Sequence, residues 1–200
     1  MPDVLAFHVV FGCYGFWLPN DPRGSGSKTV RSQPLQEFGK ATWVESGSSR
    51  AAQSHDHARR LRAKEALKYP PVRFQGVQAL DVARGFSRQI QTSGFVIWGC
   101  AIMPDHVHLV VRRHRYKIDQ VVRLLKQSAT RQLLEEERHP FANRRLPSGR
   151  LPSVWQQDFR KIFLYSDNDI RIRIDYVNNN PLKAGLKSQN WSFVVPFSGL

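Results

Sequence analysis

Two cysteines among 200 residues cannot build a disulfide framework, and both Cys13 and Cys100 fall inside apolar runs. Such usage suits a reducing compartment better than a stapled secreted scaffold; a single bridge between the two is the alternative that the count leaves open. Acidic residues are scarce as well: 16 Asp and Glu stand against 30 Lys and Arg. No apolar stretch is long enough to span a bilayer. The opening Met1-Pro2-Asp3-Val4 lacks the charged start and apolar core of a secretory signal, and no internal repeat is visible. These absences lead to the expectation of a soluble, cytoplasmic protein without a membrane partner.

What the chain has is positive charge. A formal net charge of +14 and a pI near 10.5 make a polyanion the expected partner, because clustered Lys and Arg release counterions when they meet phosphates. A membrane-surface role would need a basic amphipathic helix, and none stands out. With 41% hydrophobic residues and 200 in all, the chain fits one domain with a real core.

Residues 4–11 form an apolar, β-branched run that reads as a strand. Over about 20–72 the composition turns to Ser, Gly, Gln, Arg and Lys, which reads as an insertion or mobile excursion holding a short basic helix at 57–67. Val77, Leu80, Ala83, Phe86 and Ile90 recur at helical spacing, so 76–92 reads as an amphipathic helix ended by Ser93-Gly94. Strands follow at 95–103 and 106–112, and the short link between them implies an antiparallel hairpin.

A second helix is expected at about 117–137, striped by Ile118, Val121, Val122, Leu125, Leu133 and Leu134. An Arg-, Pro- and Gly-rich loop covers 139–152, and 154–165 reads as a fourth strand. Ser166 with Asp169 caps a last helix whose buried face is Ile170, Ile174 and Val177, and Pro181 is expected to stop it. The resulting order is β-α-β-β-α-β plus a C-terminal helix: an α+β, ferredoxin-like antiparallel sheet.

Three features carry chemistry. In His106-Val107-His108 the imidazoles share one sheet face while Val107, Leu109 and Val111 take the other, which gives half of a divalent-metal site. Two partly exposed sheet histidines would show the same pattern. Tyr176 and Asn180 are four apart on the last helix, so a phenol and an amide oxygen project together from a face opposite the Ile170/Ile174/Val177 stripe. A packing tyrosine and a helix-ending Asn would look alike. Trp155, Phe159, Arg160, Lys161, Phe163 and Tyr165 interleave rings and cations, as single-stranded nucleic acid requires, although about half of such rings belong to a core. His55-Asp56-His57 repeats the His-x-His pattern in a polar stretch without an apolar frame and receives no metal role.

Taken together, 103–111 and 175–186 resemble the HUH transposases with a single tyrosine, whose members carry a MPNHVHLLV-like strand and a YIxxNPxKAGL-like helix end in that order. Tyr14-Gly15-Phe16-Trp17-Leu18-Pro19 resembles the opening of a REP-associated branch, and Trp191–Pro196 resembles its tail. The resemblance spans 4–24 and roughly 75–196, while 25–70 matches no pattern of the family. It implies a single HUH domain over 1–200. It also implies that Tyr176 is the nucleophile and that His106, His108 and Asn180 are ligands of Mg²⁺ or Mn²⁺. The implied activity is cleavage and rejoining of single-stranded DNA beside a hairpin, through a 5′-phosphotyrosine.

Arg112, Arg113, Arg123, Lys126, Arg144, Arg145, Arg160, Lys161 and Lys183 are the expected DNA contacts, centred on the second helix and the 139–152 loop. No general base is evident, which leaves the metal, a water or Lys183. A monomer is favoured over a homodimer. The rival readings are a domesticated protein that binds hairpin DNA or RNA without cutting, and a metal-dependent hydrolase using water.

Overall fold

Apolar alternation places strand β1 at Ala6–Cys13, where Val9, Phe11 and Cys13 enter the core on one side. The computed structural model describes residues 3–19, 21, 29–30, 32–41 and 56–200. After β1 come two short helices, α1 (Gln33–Gln36) and α2 (His57–Glu65), then α3 (Gly76–Ser93). The hairpin β2 (Ile97–Ile102) and β3 (His106–Arg112), helix α4 (Ile118–Glu135), strand β4 (Trp155–Leu164) and helix α5 (Asp167–Lys183) complete the order. The sheet runs β2-β3-β1-β4, with every neighbouring pair antiparallel. This is the expected α+β, ferredoxin-like arrangement, with β1 and β3 at its centre.

Helices cover both faces of the sheet. On one, Val107, Leu109 and Val111 of β3 pack with Phe86 and Ile90 of α3 and Leu125 and Leu133 of α4. On the other, Val110 and Ala101 pack with Ile170 and Val177 of α5. Cover on both sides explains why β2 is buried at all six positions and reads as an unbroken apolar run. The tail guards its outer edge: Gln189 bonds both backbone groups of Ile102 at 2.8 Å, and Val195 N–H donates to Ile97 O at 2.9 Å. Cys13 and Cys100 are both buried and free, so the single-bridge alternative falls. Among the described residues no helix is long and apolar enough to cross a membrane.

Several expectations need correction. In α3 the buried line is Val82, Ala83, Phe86 and Ile90, while Val77 and Leu80 are 54% and 43% exposed. The contact that sets this rotation is Gly85, where a Cβ would stand 2.6 Å from the Ala129 Cα of α4. Leu134 likewise faces outward, at 47% exposed. Pro181 does not stop α5 but lies buried within it. The helix ends in a Schellman closure instead, with Leu186 N–H donating to Pro181 O at 2.8 Å and Gly185 N–H to Leu182 O at 3.0 Å. Gly185 takes the required left-handed conformation at φ 72°.

The basic helix expected at 57–67 is α2, capped by Asp56, whose carboxylate accepts from Arg59 N–H at 2.9 Å. Within the 20–72 stretch, residues 20, 22–28, 31 and 42–55, including His55, lie outside the described residues.

Candidate active site

His106 and His108 leave the same face of β3, opposite Gly12 and Val10 of β1 respectively. Their Nε2 atoms stand 3.0 Å apart, close enough to share one proton or one cation. Two nitrogens on adjacent corners of an octahedron, each about 2.1 Å from its centre, are separated by about 3.0 Å, so the pair has the spacing of two cis ligands. Each ring is held from behind. Asp105 Oδ1 lies 2.7 Å from His106 Nδ1, and His8 Nε2 lies 3.1 Å from His108 Nδ1. The Phe16 ring stacks on His106 at 4.5 Å between centroids. Gly12 leaves room for this, since a Cβ there would stand 2.6 Å from Phe16 Cδ1.

Burial keeps the inner rings neutral. His8 and His108 are 2% and 5% exposed. Desolvation drives the His8 imidazole down to about 3, helped by the charges of Arg173 and Arg160. It drives His108 well below the ordinary histidine range, helped by His106 and His8. A neutral imidazole is the form that ligates a metal.

Helix α5 delivers the phenol. Its capping box, with Ser166 Oγ accepting from Asp169 N–H and Asp169 Oδ2 accepting from Ser166 N–H, fixes where the helix starts. The Tyr176 ring stands 5.7 Å from the His8 ring and 5.7 Å from the His108 ring, edge-on to both. This corrects the expected orientation. Tyr176 packs with Ile174 against the apolar cluster under the sheet rather than on the opposite face. One helical step turns a side chain by about 100°, so Tyr176 borders the face of Val177. Asn180 donates Nδ2–H to the Tyr176 carbonyl at 2.8 Å, a bond that does not use its Oδ1.

Cations ring the phenol. Lys183 Nζ and the Arg173 guanidinium lie 5.7 and 6.0 Å from the Tyr176 ring centroid. Arg160, across β1 from His108 at the Val10 register, has a buried Nη2 without a hydrogen-bond partner among the described residues. Burial pushes this guanidinium down, while attraction to Tyr176 opposes the shift. Among the described residues no three His, Cys, Asp or Glu side chains form a metal cage. A third protein ligand beside the two histidines would have to be of another type, and Asn180 is the residue that the sequence puts forward.

The other expected DNA contacts are scattered. Arg123, Lys126 and Lys161 line a cavity of about 1240 Å³ between α4 and β4. There Lys126 turns inward, donating to Gln156 O at 2.8 Å and lying over the Phe11 ring, and Lys161 pairs with Asp119 at 3.0 Å. Arg112 and Arg113 sit at the end of β3 away from His106, beside Arg115. Arg144 and Arg145 are exposed on the 139–152 loop. Of the strand aromatics, Trp155 is buried in the core, while Phe163 and Tyr165 are each 44% exposed. Asp105 and His8 are the site residues that sequence reasoning missed. An acid next to the His-x-His pair was a readable signal for Asp105, whereas a histidine in an apolar strand gave His8 none until the register was known.

Residues 67–180 match the family model for IS200-like transposases, a segment that holds His106, His108, Tyr176 and Asn180 but not His8. A Haemophilus influenzae protein named as a REP-associated tyrosine transposase is 34% identical over 86 residues, which are 42% of this chain and 48% of that protein. The match thus spans about half the length of this curated relative. A solved REP-associated tyrosine transposase bound to a REP hairpin aligns over 96% of this chain and 78% of its own, at 14% identity and a TM-score of 0.48. A Deinococcus radiodurans protein described as a transposase aligns over 88% and 91%, at 13% identity and a TM-score of 0.36.

Proposed function

The chain belongs to the IS200-like transposase family, and from that premise we propose that it cuts and rejoins single-stranded DNA through a covalent bond to Tyr176. The observation that carries this reading is the approach of the phenol ring to within 5.7 Å of His108, whose Nε2 faces that of His106 at 3.0 Å. His106, His108 and Asn180 Oδ1 would hold Mg²⁺ or Mn²⁺, and the bound ion would neutralise charge building on the scissile phosphate. Imidazole ligands favour Mn²⁺ over the harder Mg²⁺.

The chemistry of the chain's own groups follows. Tyr176 Oη attacks phosphorus in line, the bond from phosphorus to the 3′-oxygen breaks, and that oxygen leaves as a 3′-hydroxyl carrying a proton. The 5′-phosphate stays on the tyrosine. Because the phosphotyrosine keeps the bond energy, a 3′-hydroxyl can reverse the step without ATP. A free phenol ionises near pH ~10, so the oxygen must shed its proton as it attacks. Arg160, Arg173 and Lys183 stabilise the negative charge that results. The phenol proton leaves to solvent water, and the Lys183 ammonium, itself already protonated, favours that loss only by its positive charge.

A strand beside a hairpin suits the site, because an unpaired strand can bend its phosphate against the sheet face that carries the histidines and Arg160. The test is incubation with labelled hairpin DNA and Mn²⁺ followed by denaturing electrophoresis. A denaturation-resistant adduct that disappears in Tyr176→Phe is expected. Tight binding without an adduct would favour a binding protein, and cleavage by Tyr176→Phe would favour a hydrolase.

A further inference from the structure

His8 sits inside the site, yet strand cleavage as just described gives it no task. It occupies a central strand, its cross-strand partners Val110 and Ile162 are apolar, and it is 2% exposed. Packing alone would favour an aliphatic side chain there, because a buried imidazole loses its hydration. It makes one hydrogen bond, from Nε2 to His108 Nδ1 at 3.1 Å, while its Nδ1 is buried without a partner among the described residues. A polar side chain kept at that cost, whose one hydrogen bond goes to a candidate metal ligand, serves that ligand.

The protons define the service. His108 presents Nε2 toward His106, and that nitrogen can hold a cation only if it is bare. The single proton of neutral His108 must then sit on Nδ1, the atom facing His8. We propose that His8 is a positioning residue: its Nε2 accepts the His108 Nδ1 proton, and this fixes the His108 tautomer and ring so that the Nε2 lone pair points at the ion. His106 has the matching support in Asp105 Oδ1 at 2.7 Å. The pair is thus backed by a carboxylate on one ring and a histidine on the other. The inference rests on the metal reading above.

The test uses the full chain, labelled with ¹⁵N-histidine. Long-range ¹H–¹⁵N correlation spectra of the metal-free protein read the tautomer directly, and wild type is expected to carry the His108 proton on Nδ1. In His8→Phe the proton moves to Nε2 and Mn²⁺ binding, measured by calorimetry, weakens on the order of 10- to 100-fold. In His8→Gln an amide oxygen again accepts, and both the tautomer and most of the affinity return. Wild-type His108 protonated on Nε2 overturns the proposal even if His8→Phe does not fold. Unchanged tautomer and Mn²⁺ affinity in His8→Phe overturn it as well. Wild type that takes up no Mn²⁺ at all instead overturns the metal reading on which the proposal stands.

Discussion

At the residue scale, what a side chain can do here depends on what burial has done to it. Lys126 is the clearest case outside the histidines. Desolvation lowers its ammonium to about 8, and it is held by the Gln156 carbonyl and the Phe11 ring. In the unfolded chain it keeps its proton to about pH 10.4. Between those values the unfolded state binds more protons than the folded one, so stability rises with pH across that window. Lys126→Met removes the buried charge. Its stability advantage over wild type is expected to be greatest at pH 7 and to shrink by about 3 kcal/mol as pH rises to 10.4. Urea denaturation of both proteins at several pH values measures the gap, and a gap that does not change would refute the assignment.

The same scale shows what could be read early. His106 and His108 were legible because a period of two needs no partner strand. His8 was not, because only the pairing of His8 with Val110 brings it to their face. Tyr176 was legible as a residue and misjudged in direction, since its place at the border of a buried face depends on how α5 lies on the sheet.

At the element scale the strands and helices follow their local signals closely. β3 spans the expected His106–Arg112, and the Ser166 capping box starts α5 where it should. The misreadings share one cause, that packing overrides pattern. Pro181 looked like a terminator, but its burial inside α5 and the Schellman closure at Gly185 carry the helix past it. The α3 stripe was read one step round because Gly85, not a large apolar residue, makes the closest approach to α4. Ser128 Oγ–H also donates to the Gly85 carbonyl at 2.7 Å across that seam. Gly85→Ala is therefore expected to lower stability by about 1–3 kcal/mol through overpacking. An unchanged urea midpoint would show that the helices can separate freely.

At the scale of the whole molecule, the topology was legible because the order of elements leaves few sheets to choose from, and the net charge of +14 is what makes a polyanion the expected partner. How that charge is used was not legible. Lys126 is turned inward, Lys161 is paired, and the cations around Tyr176 come from two elements, Arg160 from β4 and Arg173 and Lys183 from α5. The exposed pair Arg144 and Arg145 should act at a distance from the chemistry. Replacing both with Ala should weaken hairpin binding and lower the slope of log K against log salt by roughly 1–2. Fluorescence anisotropy over a salt series reads this, and an unaltered slope would remove the 139–152 loop from the DNA path.

The central claim is that one phenol, brought to two facing imidazoles within a single chain, becomes the atom that holds cleaved DNA. Mass spectrometry of the proteolysed reaction between the protein, Mn²⁺ and a hairpin carrying a single-stranded flank tests it most directly. The account predicts a nucleotide joined through its 5′-phosphate to the peptide that contains Tyr176. Cleaved DNA with no modified peptide, or a nucleotide on any other residue, would contradict it.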